Sequence, residues 1–411
     1  SPNFPCMNFA SRYIKRNINY PALISGPSAE SLGMVVVIPC YDEPEILTTI
    51  HSLAACQPPV QAIEVLVVVN QSEVSPSEVE RQNAQTIQAL EDWKMKNKQA
   101  FFNLNVVVPP SFRKKHAGAG LARKTGMDEA VRRFAALDKP GGVLISLDAD
   151  TTVGPNYFVE IEKHFQQSEK EVGATIRFQH RVDELTDEAH RQGMELYETY
   201  LHYYKQAMAF TGFPQAIYTV GSAFAVRADA YVKQGGMNRK QAGEDFYFLH
   251  KLAQLGPIGE INGTCVFPSA RISHRVPFGT GPAIRKWMEG DESLKLTYNF
   301  QAFQHLKQLF DRLPEIYRSS DPELPALLGQ LPLPVVLFLK ADDFESSLQE
   351  IRSNASRPES FQKRFYGYFN AFKILKFLNF VHPSFYPLQD LDEANQQLKS
   401  SGCCASSQEN R

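Results

Sequence analysis

The chain has 411 residues, of which 43% are apolar and 21% are charged, as is typical of globular proteins with a large core and two or three domains. The formal net charge of −2 argues against a general nucleic-acid-binding surface, and no apolar run reaches the roughly 20 residues of a membrane-spanning helix. The six cysteines show neither a disulfide framework nor metal-ligand spacing, which favours a reducing, cytoplasmic setting.

The first part of the chain alternates between apolar runs and segments of helical spacing. The runs are rich in β-branched residues and predict strands buried on both faces, as a parallel sheet requires: Met34–Ile38, Ile63–Val69, Leu104–Val108 and 143–147. The segments between them predict helices at Pro44–Cys56, Ser77–Lys98 and Gly118–Leu137. This alternation predicts a doubly wound sheet with right-handed crossovers.

The alternation is looser after residue 150. We expect strands at Val172–Gln179, at Ala216–Val226 (one or two), at Ile258–Ile261 and at Thr264–Phe267. Helices are expected at Glu184–Phe210 and Gly243–Leu255, and only helices from about residue 290 onward. The resulting domain prediction is an irregular lead-in over residues 1–33, a main α/β domain over 34–290, a helical C-terminal extension over 291–395 and a disordered tail over 396–411.

The stretch Ser360–Val381 has apolar residues on one helical face, with lysines and an arginine around it. One interpretation is a helix that packs on the main domain. The alternative is peripheral attachment to an anionic membrane surface, which would be the inner face of the membrane for a cytoplasmic protein.

Two carboxylates, Asp148 and Asp150, follow the run at 143–147. Ligands of open α/β sheets bind at the carboxyl ends of the strands, and hard cations such as Mg²⁺ or Mn²⁺ bind through one or two carboxylates together with substrate phosphates. The pattern therefore suggests a metal–diphosphate site. A simple turn or helix cap is the alternative, whereas an EF-hand is excluded because Val153 stands at its glycine position.

Two further segments suit a nucleotide. Tyr41 and Glu43 follow the first run, where they could stack on a base and bind a base or ribose; alternatively, Glu43 only begins a helix. Arg123 and Lys124 lie near the start of a helix that follows glycines, an arrangement that suits a diphosphate, although a plain basic helical face is the alternative. The segment matches neither a Walker A loop nor the dinucleotide-binding motif counted from Gly118, because both require glycine at position 123, which is arginine.

Together these segments resemble the successive motifs of family-2 glycosyltransferases, which have the GT-A fold. The resemblance covers roughly residues 33–290 and rests on five segments in order: Ile-Pro-Cys-Tyr-Asp-Glu at 38–43, Gly-Leu-Ala-Arg-Lys-Thr-Gly-Met-Asp-Glu-Ala at 120–130, Leu-Asp-Ala-Asp at 147–150, Gly-Ser-Ala-Phe-Ala-Val-Arg at 221–227 with Gly235-Gly236 after it, and Ala-Gly-Glu-Asp-Phe at 242–246. It implies a Rossmann-like mixed sheet flanked by helices, followed here by the helical extension.

The resemblance also implies roles for individual residues. The nucleotide sugar would contact Pro39, Tyr41, Glu43, Asn70, Gly118, Arg123, Lys124, Asp148 and Ala149. A Mn²⁺ or Mg²⁺ ion would be held by Asp148, Asp150 and His274. Asp245 would be the general base, with Glu244 beside it, and the acceptor side would include His180, Arg181, Gly221 and Ser222.

The sequence departs from the family pattern at two places. The second strand ends in Val69-Asn70-Gln71-Ser72 instead of an acid pair followed by serine, and Lys124 stands where relatives commonly have asparagine.

The Tyr-rich stretch of Glu184–Phe210 is expected either to face the acceptor or to pack in a core.

The leading hypothesis is an inverting, metal-dependent transfer of a sugar from a nucleoside diphosphate sugar to a sugar or lipid-linked acceptor. A divalent ion would neutralise the leaving diphosphate, and Asp245 would deprotonate the acceptor hydroxyl. The alternatives are a retaining GT-A transferase with the same metal site, and a nucleotide-sugar-binding protein without catalysis.

Overall fold

The computed structural model describes residues 8–240, 243–272 and 280–403. The chain divides into two compact units. The first unit comprises the residues up to Thr186 together with Thr219–Pro282, and the second comprises Asp187–Tyr218 and the residues from Ala283 onward.

The first unit contains an eight-stranded sheet in the order β3-β2-β1-β4-β7-β6-β8-β5. Its strands are β1 Leu32–Cys40, β2 Ala62–Val69, β3 Phe102–Val107, β4 Val143–Ser146, β5 Thr152–Val153, β6 Gly173–Phe178, β7 Phe224–Arg227 and β8 Ile258–Phe267. Strands β1 to β4 pair in parallel, whereas β7 is antiparallel to both β4 and β6. The sheet is therefore mixed.

Helices flank this sheet and make up most of the second unit. In chain order they are α1 Ser11–Asn17, α2 Ile46–Ala54, α3 Ser77–Lys96, α4 Ala119–Ala136, α5 Tyr157–Gln167, α6 Glu188–Phe210, α7 Ala228–Gln234, α8 Glu244–Leu252, α9 Thr280–Met288, α10 Phe300–Asp311, α11 Leu313–Arg318, α12 Leu324–Leu328, α13 Leu333–Ala341, α14 Phe344–Ser353, α15 Pro358–Tyr368, α16 Ala371–Val381 and α17 Leu391–Leu398. This architecture confirms the predicted fold class, a mixed α/β sheet flanked by helices with further helices toward the C-terminus.

The central strands are buried because helices cover them. The side chains of Val35–Ile38 in β1 and Val65–Val68 in β2 have no exposed surface, which explains their β-branched composition. Helix α4 approaches these strands closely at Gly126, where a Cβ atom would lie 2.4 Å from Val37 Cγ1. Close packing of α4 against β1 and β2 fixes the position of the residues at its start.

The N-terminal segment expected to be irregular contains α1 and fastens α4 through a buried polar cluster. The Tyr13 hydroxyl donates to Asp128 Oδ1 at 2.7 Å, and the Tyr231 hydroxyl donates to the same oxygen at 3.0 Å. The Lys124 ammonium donates to Asp128 Oδ2 at 2.8 Å and to the Tyr13 hydroxyl at 3.1 Å. Burial raises the pKa of Asp128, while its lysine and tyrosine partners oppose that shift.

The second unit has a core rich in aromatic residues. Tyr203 of α6 is fully buried in it, and Tyr200 and Tyr204 pack against it, so these three tyrosines serve as packing residues. The unit also contains two short antiparallel strands, β9 Leu296–Thr297 and β10 Gln389–Asp390, in a region where the sequence indicated helices only.

Three element predictions need correction. The stretch 360–381 is not one helix but α15 and α16, because Asn370 caps α16 by accepting from the backbone N–H groups of Phe372 and Lys373. Residues 216–226 contribute only the start of β7, and the two strands predicted at 258–267 are the single strand β8. No helix among the described residues is long and apolar enough to cross a membrane.

Candidate active site

Arg123, one turn into α4, connects the elements that carry the predicted acidic residues. Its guanidinium donates to Asp148 Oδ1 at 2.9 Å and, through Nε and Nη2, to Glu244 Oε1 at 3.3 Å. The side chain is only 3% exposed. Burial disfavours its charge, but the carboxylates of Asp148 and Glu244 outweigh this effect and hold the pKa of Arg123 above its ordinary value.

Ser146, the last residue of β4, fixes the neighbouring loop. Its hydroxyl accepts from Arg123 Nη1 at 2.5 Å and donates to the Gly221 carbonyl at 2.6 Å. Arg123 Nη1 also donates to that carbonyl at 3.2 Å. The position that a Cβ atom would take at Gly221 is 3.3 Å from Asp245 Oδ2. The structure thus brings Arg123, Asp148, Gly221, Glu244 and Asp245 together.

Asp245 lies in the first turn of α8. Its Oδ1 accepts from the backbone N–H of Phe246 at 2.7 Å. Burial, followed by the negative charge of Glu244, raises the pKa of Asp245 to about 7, against the opposing effects of the Phe246 N–H and Arg123. A carboxyl group with such a pKa is a much stronger base than an ordinary aspartate, and proton transfer is most efficient when the pKa of the base is near the working pH.

A close backbone contact holds α4 and α8 in this arrangement. At Gly120 a Cβ atom would lie 2.1 Å from the Lys240 carbonyl oxygen and 3.1 Å from Glu244 Cβ. Only glycine lets the first turn of α4 approach the chain before α8 this closely. The sequence contained Gly120 within a motif but did not reveal this contact, because the contact joins residues far apart in the chain.

We expect Gly120→Ala to lower kcat/KM by about 100-fold, since shifts of about 1 Å in an active site have effects of this size. The added methyl group must displace the Lys240 backbone and, with it, Glu244 relative to Arg123. Steady-state kinetics with the protein's donor and acceptor would measure the effect.

Gly367→Ala in α15 is the matched control, because nothing lies within 4 Å of its Cβ position. That variant should keep full activity. Activity of Gly120→Ala equal to that of the parent protein would show that the close approach at Gly120 has no functional consequence.

A second group of charged side chains surrounds Arg271, which follows β8. Its guanidinium donates to both oxygens of Glu43, at 2.5 and 3.3 Å, and to Asp150 Oδ2 at 3.3 Å. Glu43 is fully buried. The sequence did not mark Arg271 as a site residue, and its only signal was its position near His274. His274, predicted as a metal ligand, lies outside the described residues.

The other predicted nucleotide contacts lie near the ends of β1, β2 and β4. The Asn70 amide donates to the Cys40 carbonyl at 2.9 Å, and the Asn70 carbonyl accepts from Asn83 at 2.9 Å, so Asn70 links β1, β2 and α3. The Ala149 carbonyl accepts from Thr49 at 2.9 Å. Pro39, Tyr41 and Gly118 are partly exposed.

The remaining predicted residues are less closely tied to the group around Arg123. Lys124 is bound within the buried cluster of Tyr13 and Asp128 described above. On the predicted acceptor side, His180 and Ser222 are buried. The Arg181 guanidinium lies 4.4 Å from the centre of the Phe267 ring.

The donor atoms at the end of β4 suit a hard divalent ion. Asp148 and Asp150 offer carboxylate oxygens, and Mg²⁺ and Mn²⁺ are commonly held by one or two carboxylates with phosphate oxygens completing the shell. Each carboxylate is paired with an arginine, Asp148 with Arg123 and Asp150 with Arg271. Among residues 8–240, 243–272 and 280–403, no three acidic, histidine or cysteine side chains form a preformed metal cage.

Comparison with known structures gives distant matches. The S. aureus TarS 1-349 complex with UDP-GlcNAc has a TM-score of 0.44 and 12% identity over 82% of this chain and 91% of that chain. The TarS 1-349 complex with UDP has a TM-score of 0.41 and 13% identity over 89% and 92%. The mannosyltransferase PcManGT from Pyrobaculum calidifontis, in complex with GDP-Man and Mn²⁺, has a TM-score of 0.39 and 12% identity over 85% and 93%. Likenesses at this level carry no argument about function.

Comparison of the sequence with protein-family models gives a match to one family. The mixed sheet carries acidic residues gathered around Arg123 at the end of β4. Residues 143–316 match the family model described as "Glycosyl transferase family group 2". The match spans Asp148, Asp150 and the pair Glu244–Asp245, and it confirms for this segment the resemblance to family-2 glycosyltransferases. Comparison with curated proteins gave no match.

Proposed function

We propose that the protein transfers a sugar from a nucleoside diphosphate sugar to a hydroxyl group, with inversion at the anomeric carbon and with a divalent metal ion. The observation that carries this proposal is the environment of Asp245. A half-buried carboxyl, that of Asp245, has a pKa raised to about 7 and lies beside Arg123, which in turn binds Asp148 at the end of β4. A single displacement requires a base for the acceptor hydroxyl and, close to it, groups that stabilise the leaving diphosphate.

In this mechanism Asp245 receives the proton of the acceptor. Oδ1 is occupied by the Phe246 N–H, whereas Oδ2 is the oxygen directed toward Gly221, so Oδ2 is the atom that takes the proton. The acceptor oxygen forms a bond to the anomeric carbon while the bond from that carbon to the diphosphate oxygen breaks. The electron pair leaves with the nucleoside diphosphate, and the product has the inverted configuration.

The residues at the strand ends hold the donor. Asp148 and Asp150, with the predicted His274, would bind Mn²⁺ or Mg²⁺, which when present neutralises the negative charge of the departing diphosphate. Arg123 keeps Asp148 and Glu244 in place through the bonds described above. Pro39 and Tyr41, which are partly exposed, would face the nucleotide, whereas the buried Glu43 and Asn70 would support the strand ends through the bonds described above.

The acceptor is proposed to be a sugar or a lipid-linked sugar. Gly221 adjoins Asp245 in the site, which supports its assignment to the acceptor side together with its chain neighbour Ser222. His180 and Arg181 are assigned there by the family resemblance.

Donor binding tests the proposal first. The purified protein should be screened with UDP-, GDP- and dTDP-sugars in the presence of Mn²⁺, Mg²⁺ or EDTA, with thermal unfolding as the measurement. At a ligand concentration of 100 Kd we expect one donor to stabilise the fold by about 2.7 kcal/mol, and EDTA to abolish the gain. No stabilisation by any donor would contradict the proposal.

Product analysis tests the mechanism. With the donor identified, NMR of the early product should show an anomeric configuration opposite to that of the donor. A retained configuration would favour a retaining transferase with the same metal site. Stabilisation by donor without hydrolysis or transfer would favour a nucleotide-sugar-binding protein.

A further inference from the structure

Arg271 places a positive charge between two carboxylates of the proposed donor site, Glu43 and Asp150, with the exposed Glu45 nearby. Its Nη2 is 2.5 Å from Glu43 Oε2 and 3.3 Å from Asp150 Oδ2, and its Nη1 is 3.8 Å from Glu45 Oε2. Glu43 is fully buried, whereas Arg271 is about one-third exposed at 33%. The two oxygens of Glu43 meet two nitrogens of the guanidinium, which is the bidentate geometry that gives the strongest ion pairs.

This position conflicts with simultaneous binding of a divalent ion. If Asp150 is a metal ligand, the ion must approach a carboxylate whose Oδ2 already contacts a guanidinium. Two cations at one carboxylate repel each other, and the partly buried side chains of Asp150 and Arg271 leave this repulsion only partly screened by water. Either Arg271 moves away when the ion binds, or the ion binds weakly.

We propose that Arg271 is an internal cation that competes with the divalent ion for Asp150, so that the ion binds well only together with the donor diphosphate. The inference rests on the proposed function. A guanidinium released from Asp150 finds a complement in the negative charges of a diphosphate, whereas the metal ion alone adds only a further positive charge beside it. Arg271 would thus couple metal binding to donor binding, while neutralising Glu43 and Asp150 when the site holds neither ligand.

The affinity for Mn²⁺ alone tests this competition without catalysis. Free Mn²⁺ is measured by electron paramagnetic resonance in titrations of the full chain. We expect Arg271→Gln and Arg271→Met to bind Mn²⁺ at least about 10-fold more tightly than the parent protein, which lies within the usual range of coupling between two binding events. Arg312→Gln, which removes a partly exposed arginine of the second unit bonded to Gln330, is the control and should leave the affinity unchanged.

A measurement on the unmodified protein keeps the inference testable if the variants fail to fold. Adding UDP or GDP should increase the affinity of the parent protein for Mn²⁺, beyond the increase explained by formation of the Mn²⁺–nucleotide complex in solution. In Arg271→Gln this increase should be about 10-fold smaller. Equal affinity for Mn²⁺ with and without nucleotide in the parent protein would overturn the inference.

Asp150→Asn separates failure of the inference from failure of the proposed function. If Asp150→Asn abolishes Mn²⁺ binding but Arg271→Gln leaves it unchanged, the metal site is correct and the competition is refuted. If Asp150→Asn binds Mn²⁺ as the parent protein does, Asp150 is not a metal ligand, and both the competition and that part of the proposed function fail.

Discussion

Asp245→Asn is expected to lower kcat by about 10²- to 10⁴-fold, the usual contribution of a general base, while the affinity for the donor remains within a few-fold of the parent value. The amide keeps the size and the acceptor oxygen of the side chain but cannot take the proton of the acceptor hydroxyl. Single-turnover kinetics and donor titration by thermal shift would measure the two quantities separately.

The matched control is Asp229→Asn, which changes an aspartate in the first turn of α7 that pairs with the exposed Lys233. It should leave kcat unchanged. A turnover of Asp245→Asn within 10-fold of the parent value would exclude Asp245 as the base and would turn attention to the retaining alternative.

The same carboxyl group should govern the pH dependence of the reaction. Because the pKa of Asp245 is raised to about 7, most of the base is protonated at lower pH, and kcat/KM should rise tenfold per pH unit up to about pH 7 and then level off. A rate that stays constant between about pH 5 and 8 would contradict this assignment.

Stability has the opposite dependence on pH. Because the pKa of Asp245 is higher in the folded state than in the unfolded state, Asp245 contributes most to the free energy of unfolding at low pH. This contribution is lost as the pH rises through about 7. Asp245→Asn has no charge to bury, so at about pH 8 it should be at least as stable as the parent protein. Loss of turnover without loss of stability distinguishes a catalytic group from a structural one.

The central strands were predictable because burial on both faces leaves a clear signal. The runs that became β1 and β2 consist almost entirely of β-branched and aliphatic residues, and α4 was predicted to within a residue or two at each end. The helix break at Asn370 and the two-residue strands β9 and β10 were not predictable, since a single cap and a single bridge between distant segments determine them. Residues 216–226 were overpredicted as strand.

The site could be predicted in its parts but not in its connections. Asp148, Glu244 and Asp245 follow from strand-end and helix-start patterns, whereas the bonds that join Asp148 to Glu244 pass through Arg123, which also binds Ser146. The sequence indicated a diphosphate contact for Arg123, and the structure shows its guanidinium saturated by protein oxygens. Arg271 was missed because its partners, Glu43 and Asp150, are 228 and 121 residues away.

The guanidinium of Arg123 donates only to protein oxygens, so its removal should have a large effect on the stability of the fold. Replacing Arg123 with methionine should lower the free energy of unfolding by about 3–5 kcal/mol, the usual consequence of removing one member of a buried ion pair. Glu244, whose side chain is 7% exposed, would be left as a buried charge without its arginine, and Ser146 and the Gly221 carbonyl would lose a donor. Urea denaturation monitored by circular dichroism would give the difference.

The pH dependence of this loss identifies its origin. A buried carboxylate without its guanidinium is costly only while it carries a charge, so Arg123→Met should be nearest to the parent stability at low pH and should fall further behind as the pH increases. A second change, Glu244→Gln, removes the unpaired charge and should restore part of the stability at neutral pH without restoring activity.

The stability losses of two milder variants, Arg123→Lys and Ser146→Ala, can be compared with that of Arg123→Met. Arg123→Lys keeps the charge but cannot donate to four acceptors at once, so its loss should be intermediate. Ser146→Ala removes one hydroxyl, which accepts from Arg123 and donates to the Gly221 carbonyl, and should lower the free energy of unfolding by about 1 kcal/mol. A stability loss in Arg123→Met that is below about 1 kcal/mol, or that does not change with pH, would show that the contacts of Arg123 contribute little. Asp245 would then owe its position to the backbone contacts around Gly120 rather than to this guanidinium.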